Sequence, residues 1–364
     1  MSCVSDCLVI RQRLLPWFDE NARDLPWRRV KDPYAIWVSE IMLQQTRVAA
    51  VIEHYSRFMK TFPTLQALAA AGEDEVLAHW SGLGYYRRAR LLHKAAQFVA
   101  GEMGAALPRT ATELRVLPGV GEYTAAAIAS IGFGEAVACV DGNVERVLCR
   151  LNGWREGQVT PAKVRAEAKR LLDADRPGDF NQAMMELGAL VCLPRDPRCP
   201  ECPLREVCRT QGEHPVAERK KMASRQLTYA FMLRIAKREK ARTHAVQVLL
   251  ERRSSKSSLM PGMWELPELG GEESLNVKKV LTLRHSITDT NYYVTIYEWR
   301  ASERPELPKR NNTRQWFMVD ELHTLPLTGL ARKALQRLRA WPGYDAYGPV
   351  VRFGEPATTA KAAQ

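Results

Sequence analysis

Two different spacings of apolar residues follow each other along this chain. Apolar residues recur at i, i+3 and i+4 in four segments before residue 132, which predicts amphipathic helices. These segments are Ala35–Ile52, Glu73–Trp80, Arg87–Val99 and Thr124–Ile131. After residue 227, Thr228–Ile235, Ala245–Glu251 and Tyr292–Trp299 are rich in β-branched and aromatic residues, which predicts strands. Thr328–Ala340 again has the helical pattern. We therefore expect an all-α region followed by an α+β region.

Changes in composition predict four parts within the chain. Its 364 residues are enough for about two domains. Residues 209–225 are polar and charged and contain Pro215, which is typical of a linker. We predict a helical domain at 1–210, a linker at 211–227, an α+β domain at 228–345 and a flexible tail at 346–364.

The chain is strongly basic, with a formal net charge of +12 and a pI of about 9.4. That excess favours a polyanionic partner, of which nucleic acid is the commonest, although a basic protein without such a partner can have the same composition. No stretch is apolar enough to cross a bilayer, and Met1–Val9 lacks the basic region of a secretory signal. We therefore predict a cytoplasmic protein, nucleoid-associated in a bacterium, whose cysteines stay reduced.

Half of the eight cysteines lie close together near the end of the helical region. Six, two and five residues separate Cys192, Cys199, Cys202 and Cys208. Four thiolates can surround one metal centre, and this uneven spacing favours an iron–sulfur cluster. Zinc, which usually takes two separated C-x-x-C pairs, remains an alternative, as do four unrelated buried thiols.

Two further features of the helical region are suited to the DNA backbone. Arg195 and Arg198 lie in the first loop between the cysteines, where they could meet a phosphate or be ordinary surface arginines. Leu117–Ala125 predicts a tight turn that opens a helix, and its Gly119 and Gly121 would let the backbone approach a ligand closely. Amide donors at the start of the following helix could bind a phosphate.

Taken together, these motifs resemble the endonuclease III superfamily and, within it, the adenine DNA glycosylase (MutY) family. The resemblance rests on the helix-hairpin-helix, on an aspartate about twenty residues later and on the C-x₆-C-x₂-C-x₅-C loop. It extends through Leu25–Arg28, Val38–Thr46, Gly82–Tyr86 and Val140–Val144, and covers residues 8–210. It implies an all-α helix-hairpin-helix glycosylase domain with a 4Fe–4S cluster, followed by an α+β Nudix-like domain.

The resemblance assigns the chemistry to four residues. Hydrolysis of an N-glycosidic bond needs an acid at the base and a negative charge near the sugar. Glu40, in a mainly apolar helix, is implied to protonate adenine at N7, and burial would keep its proton available. Asp141 is implied to stabilise the oxocarbenium ion, with Asn143 positioning it and the water. Tyr123 stands where the related lyases have a lysine, so it cannot form a Schiff base, and a monofunctional enzyme is expected.

The residues that would hold DNA also follow from the resemblance. An enzyme of this kind must extrude the target nucleotide from the duplex. Gln45, Thr46 and Tyr85 match the residues that fill the gap and hold the opposite base, and Leu43 and Arg28 match the lining of the adenine pocket. Without the resemblance, each has an ordinary structural role.

The C-terminal half resembles a Nudix-like domain more loosely. Met260–Pro267 is similar to the loop before the Nudix helix, but residues 270–279 lack the metal-binding pattern, so we expect recognition of 8-oxoguanine and not hydrolysis. The family's Phe-Ser-His motif falls at Ile287–Asp289, where Thr288 keeps a hydroxyl and the Phe and His are lost. His285 and Ser286 are candidates to compensate.

The function expected from the sequence is hydrolysis of adenine mispaired with 8-oxoguanine, or with guanine, in double-stranded DNA during base excision repair. We expect a monomer that leaves an abasic site. A bifunctional glycosylase/lyase for oxidised pyrimidines is the alternative enzyme, against which Tyr123 and the second domain argue. A noncatalytic DNA-binding or electron-carrying iron–sulfur protein is the third interpretation.

Overall fold

The computed structural model describes residues 3–155, 159–214, 221–237, 244–269, 277–299 and 313–342. The chain divides into two compact units, Met1–Lys220 and Lys221–Gln364. No helix among these residues has the length and apolar character needed to span a membrane.

The first unit is helical, as predicted. Its α-helices are α1 (Cys3–Asn21), α2 (Pro33–Leu43), α3 (Val48–Thr61), α4 (Leu65–Ala70), α5 (Glu73–Trp80), α6 (Arg87–Glu102), α7 (Ala111–Leu114), α8 (Glu122–Ala127), α9 (Gly142–Asn152), α10 (Pro161–Leu171) and α11 (Pro177–Leu190). A short π-helical segment, Ile128–Gly132, continues α8. Short 3₁₀ turns lie at Pro26–Arg28, Cys199–Glu201 and Arg205–Val207.

The predicted helical run Ala35–Ile52 is interrupted in the structure. Helix α2 ends at Leu43 and α3 begins at Val48, because Gln45 adopts a left-handed backbone with φ of 54° that no helix can include. Asp32 caps α2 by accepting a hydrogen bond from the amide of Tyr34, and Pro33 fits the first turn. The break leaves a loop between two helices at the place where the sequence predicts DNA contacts.

One part of the core of the first unit is formed by its first helix and its last three helices. Apolar side chains of α1, α9, α10 and α11 pack together there, among them Leu14, Leu148, Leu171 and Phe180. Nine consecutive residues of α2, from Tyr34 to Met42, are buried, so that helix lies inside the unit on all sides. A carboxylate on α2 is therefore placed in an apolar interior.

Among its described residues, the second unit contains two four-stranded sheets and one α-helix. Its strands are β1 (Ala223–Phe231), β2 (Leu233–Lys237), β3 (His244–Arg252), β4 (Trp264–Glu265), β5 (Glu268–Leu269), β6 (Lys279–Ile287), β7 (Thr290–Glu298) and β8 (Arg314–Met318). One sheet has the order β5-β1-β7-β6, with β1 parallel to β7; in the other, β3 pairs with β2, β4 and β8. Helix α12 (Gly329–Arg337) is capped by Thr328 and packs on a core with Val248 and Ile296. This confirms the predicted α+β character.

The predicted linker 211–227 is too long at its C-terminal end. Strand β1 already begins at Ala223, because residues 223–227 pair in register with β7 from Thr290 to Val294. The predicted strand Thr228–Ile235 is divided at Met232, between β1 and β2. Glu272 and Glu273, and the tail predicted at 346–364, lie outside the described residues.

Candidate active site

A pocket of about 600 Å³ opens in the first unit and gathers most of the predicted catalytic residues. It is bounded by α2, the α2–α3 loop, α8, the start of α9, and α11. The predicted residues that line it are Arg28, Glu40, Leu43, Gln45, Thr46, Tyr123, Asp141 and Asn143. Residues as far apart in sequence as Arg28 and Asn143 are thus brought to one cavity.

Glu40 is a buried carboxyl group on the inner face of this pocket. Its residue is 7% exposed, and its Oε2 accepts a hydrogen bond of 2.9 Å from the hydroxyl of Tyr123. Burial is the largest cause of a raised pKa, the nearby Asp141 adds to it, and the result is a pKa of about 7 for Glu40. The group therefore keeps a proton between about pH 4.5 and 7, where a free carboxylic acid is ionised.

Tyr123 lies on α8, two residues after Gly121, and faces the pocket between Glu40 and α11. Its hydroxyl oxygen is also 3.2 Å from the sulfur of Met185. Burial raises the pKa of this phenol well above its ordinary value, so the hydroxyl stays protonated. Tyr123 is therefore a neutral hydrogen-bond donor to Glu40.

Asp141 lies at the start of α9, and both of its carboxylate oxygens accept hydrogen bonds. It is the N-cap of α9, and its Oδ1 accepts a hydrogen bond of 2.8 Å from the amide of Val144. Its Oδ2 accepts a second hydrogen bond, of 2.9 Å, from the side-chain amide of Asn143. The carboxylate is fixed on the pocket wall at the positive end of the α9 dipole.

Asn143 is itself held from behind by α11 and by Arg146. The Arg146 guanidinium donates to the Asn143 Oδ1, the Gly188 carbonyl and the Cys192 carbonyl, each at 2.9 Å. A Cβ atom added at Gly188 would lie 2.6 Å from the Cβ of Asn143, so α9 and α11 approach more closely than any larger residue permits. These contacts orient the amide that donates to Asp141.

A second buried carboxylate, Glu186 on α11, lines the same pocket and was not predicted from the sequence. Arg23 donates to both of its oxygens at 2.7 Å, and Arg28 donates to Oε2 at 2.9 Å. Burial alone would raise the pKa of Glu186, but the hydrogen bonds from Arg23 and Arg28 outweigh it and hold the pKa at about 2. Arg28 also donates to Gln182 at 3.1 Å, so its orientation is set by α11.

The loops predicted to enter DNA are held together by Arg88 on α6. Its guanidinium donates to the carbonyls of Ile41 and Met42 at the end of α2 and of Gln44 in the loop that follows. The same guanidinium donates to the carbonyls of Leu83 and Gly84 in the other loop. It also donates to the Thr46 hydroxyl at 3.0 Å and lies 5.4 Å from the ring of Tyr85. Gln45 and Tyr85 are exposed and both have positive φ, so each side chain is presented from a bent backbone.

The hairpin before α8 has one glycine that the geometry requires. Gly119 has φ of +80°, and a Cβ there would lie 2.7 Å from the Cβ of Leu91. Gly121 is the N-cap of α8 with extended backbone, and open space surrounds the position of its absent side chain. Packing against Leu91 therefore requires a glycine at Gly119 and not at Gly121, and the close approach of both to a ligand stays a prediction.

Comparison with known proteins shows which family this architecture resembles. Residues 38–174 match the HhH-GPD superfamily of base excision DNA repair proteins. An adenine DNA glycosylase of Rattus norvegicus is 51% identical over 221 residues, 57% of this chain and 43% of that protein. One of Buchnera aphidicola subsp. Acyrthosiphon pisum is 35% identical over 236 residues, 62% of this chain and 67% of that protein.

This chain belongs to the adenine DNA glycosylase family. It spans less than half of the length of the rat relative. An adenine DNA glycosylase of Arabidopsis thaliana, 38% identical, matches 71% of this chain and 47% of its own, so the similarity extends beyond the 220 residues of the first unit.

Solved structures agree on the fold of this family member. A thermostable thymine-DNA glycosylase is 29% identical, with a TM-score of 0.54 over 57% of this chain and 97% of that chain. A non-covalent endonuclease III–DNA complex is 24% identical, with a TM-score of 0.51 over 58% of this chain and 97% of that chain, which supports the fold alone. Both cover a share of the chain close to that of the helical unit.

The four predicted cluster ligands lie in one loop region after α11 and are half-buried free thiols. The pKa of Cys202 is raised to about 11, first by burial and further by Cys192, Cys208 and Cys199, so all four thiols are near neighbours. Among the described residues, no three His, Cys, Asp or Glu side chains are grouped as ligands of a single metal ion.

The loop between the first two of these cysteines is anchored by Arg150. Its guanidinium donates to the carbonyls of Leu193 at 2.6 Å and Pro194 at 3.0 Å, and lies 3.4 Å from the sulfur of Cys192. Arg195 and Arg198 are exposed on this loop, and Arg198 is 4.0 Å from Glu201. The two arginines that are predicted to contact phosphates are therefore accessible at the surface.

The predicted lesion-reading residues lie on the β6–β7 hairpin of the second unit. Thr288 is in its tight turn with φ of 53°, and Ser286 is exposed on one face of β6. His285 is on the opposite face, half-buried, and burial lowers its pKa, with a smaller effect from the Lys333 cation. The hairpin therefore does not bring these three side chains to one surface.

Proposed function

We propose that this protein hydrolyses the N-glycosidic bond of adenine opposite 8-oxoguanine, or guanine, in duplex DNA, as a step of base excision repair. The observation that carries the proposal is the buried Glu40, whose pKa of about 7 keeps a proton available in the same pocket as Asp141. A proton donor beside an anion is the pair that cleavage of a glycosidic bond to a poor leaving group requires.

The proposed reaction begins with extrusion of adenine from the duplex into the pocket. Glu40 then donates its proton to N7 of the base, which turns adenine into a better leaving group. Tyr123 donates a hydrogen bond to the Glu40 Oε2 and so leaves the other oxygen of the carboxyl group free to hold the acidic proton. The carbon–nitrogen bond breaks, and the positive charge develops on the sugar.

Asp141 stabilises that positive charge in the proposed mechanism. Its two oxygens are held by Val144 and Asn143, so the carboxylate needs little reorganisation when the oxocarbenium ion forms. Water then adds to the sugar, positioned with the help of Asn143, and an abasic site remains. Tyr123 offers no amine at the position where a lyase carries its lysine, which supports a monofunctional enzyme.

We also propose that Cys192, Cys199, Cys202 and Cys208 hold a 4Fe–4S cluster. The donor set consists of four thiols, and a cluster of this kind takes one thiolate at each of its four corners. When bound, such a cluster would stabilise the loop that carries Arg195 and Arg198 against DNA. Elemental analysis that found zinc and no iron would overturn this part of the proposal.

The test of the activity is single-turnover cleavage of two duplexes, with adenine opposite 8-oxoguanine or opposite guanine. We expect the protein to release adenine from both and to leave the strand intact until alkali is added. Asp141→Asn should abolish nearly all release while the affinity for the duplex is kept, because the charge near the sugar is lost and the cap of α9 can still form.

Two outcomes would replace the proposal. A protein–DNA adduct trapped with borohydride would indicate a bifunctional lyase. A protein that binds duplex DNA but releases no adenine would be a noncatalytic DNA-binding protein. Equal rates for the wild type and Asp141→Asn would contradict the mechanism.

A further inference from the structure

The β6–β7 hairpin has two faces with different chemistry. Strand pairing sets Arg284 opposite Tyr293 and Ser286 opposite Asn291. Leu283 belongs to the apolar core of the unit, so residues of alternate parity on β6 lie on the other face. That outer face, formed by Arg284, Ser286, Asn291 and Tyr293, is polar.

Asn291 fixes the arginine on the outer face. Although Asn291 is only 7% exposed, its Oδ1 accepts hydrogen bonds from Arg284 Nε at 3.2 Å, from Arg284 Nη2 at 2.9 Å and from the Ser286 hydroxyl at 2.7 Å. An amide oxygen has no formal charge, so it orients the guanidinium without neutralising it. Within the described part of the chain, no carboxylate forms an ion pair with Arg284.

Tyr293 completes this surface. Its side chain is 47% exposed, and the guanidinium of Arg284 lies 6.0 Å from the centre of its ring. An oriented arginine beside an exposed tyrosine offers the donors that proteins use toward phosphate oxygens of DNA. The turn that the pair flanks carries Asp289, an exposed anion that would repel a phosphate.

We propose that Arg284, oriented by Asn291 and assisted by Tyr293, binds a phosphate of the DNA backbone next to the turn at 287–289. The inference rests on the proposed function, because that function makes duplex DNA the ligand. It adds a contact that this chain's own residues supply. Arg284 counterbalances the charge that Asp289 introduces at the turn. The contact positions the hairpin and does not read a base.

The experiment measures the affinity of the full chain for a duplex with adenine opposite 8-oxoguanine as a function of salt concentration. All proteins carry Asp141→Asn so that the substrate is not consumed. The slope of log K against log salt is negative, and loss of one phosphate contact reduces its magnitude by about 0.9. We expect that reduction for Arg284→Gln, and near-normal slopes for Arg284→Lys, which keeps the charge, and for the control Arg337→Gln, which removes an exposed arginine of α12.

A second variant tests whether the group that orients Arg284, the Asn291 side-chain amide, must be uncharged. Asn291→Asp keeps the shape of the side chain but places a carboxylate against Arg284, so the slope should fall as in Arg284→Gln although the arginine is present. The ratio of affinities for 8-oxoguanine and guanine duplexes should stay unchanged in both variants, since a phosphate contact weakens binding uniformly. Melting curves verify that each variant is folded.

The results separate this proposal from the activity. A slope for Arg284→Gln equal to those of the parent and of Arg337→Gln would overturn the phosphate contact, even if the wild-type protein releases adenine. A changed affinity ratio with an unchanged slope would also overturn it, because Arg284 would then read the lesion. A reduced slope in a protein whose wild type releases no adenine would leave the contact standing and overturn the proposed function.

Discussion

Glu40 on α2 and Glu186 on α11 line one pocket, and both side chains are buried, yet their acidities differ greatly. The pKa of Glu40 is raised from 4.5 to about 7, and that of Glu186 is lowered from 4.5 to about 2. Burial acts in the same direction on both. The difference comes from their partners, a neutral tyrosine hydroxyl for Glu40 and two arginines for Glu186.

The pocket therefore contains one protonated glutamate and one ionised glutamate, and the two have different roles. A buried carboxyl group whose hydrogen-bond partner is a neutral hydroxyl is a proton donor near neutral pH. A carboxylate between two guanidinium groups is a structural anion that fixes Arg23 and Arg28 on the pocket wall. The two shifts correspond to similar energies of about 3 kcal/mol and opposite sign.

The largest expected effect is on catalysis by Glu40. Glu40→Gln should lower the single-turnover rate of adenine release by about 10²- to 10⁴-fold, because the general acid is lost. The wild-type rate should fall as pH rises through about 7, where Glu40 loses its proton. The rate of Glu40→Gln should lack this decline. Parallel pH profiles for the two proteins would contradict the assignment.

The next effect is on stability, through Glu186. Its pKa is lower in the folded protein than in the unfolded chain, so its contribution is complete above about pH 4.5 and is lost as pH falls toward 2. Glu186→Gln should lower the free energy of unfolding at pH 7 by about 3 kcal/mol. This is the lower end of the range for breaking a buried ion pair, and it applies because Arg23 is partly exposed. Urea denaturation at pH 7 and pH 3 measures it. A loss that does not shrink at pH 3 would contradict the ionic origin.

The smallest effect has the opposite sign and concerns the stability of Glu40→Gln. The folded protein retains a proton on Glu40 between pH 4.5 and about 7 that the unfolded chain has released, so wild-type stability falls over this range as pH rises. Glu40→Gln escapes this loss and should be more stable than the wild type at pH 8, by up to about 3 kcal/mol. The two proteins should be close in stability at pH 4. Equal melting temperatures at both pH values would show that Glu40 is not buried as a neutral acid.

The sequence predicted one of these glutamates and missed the other for a physical reason. Glu40 was identified through the resemblance to a known family, and its apolar neighbours Trp37, Ile41 and Met42 are consistent with burial. Glu186 also lies on a helix with buried apolar residues, but its meaning depends on Arg23, 163 positions earlier in the chain. Local patterns do not indicate which cation a carboxylate will meet.

The same limit explains the errors in the second unit. Residues 223–227 are too polar to suggest a strand, and only pairing with β7 makes them one. Thr288 was predicted as a lesion-reading hydroxyl, but the sequence did not reveal that it lies in a hairpin turn or that alternation along β6 sets Ser286 and His285 on opposite faces. The helical region and the α+β character followed from periodicity, because each is encoded locally, whereas the pocket residues followed from the resemblance to a known family.

Arg88 has a mechanical consequence for how this protein would probe a duplex. The carbonyls of Met42, at the end of α2, and of Leu83, in the loop before α6, share this single guanidinium, so displacing either segment alone removes acceptors from it. An unpaired buried donor costs about 1–3 kcal/mol, which disfavours separate movements of the two segments. If Gln45 and Tyr85 enter the base stack as the sequence predicts, they would do so in one concerted motion, with one activation barrier in place of two.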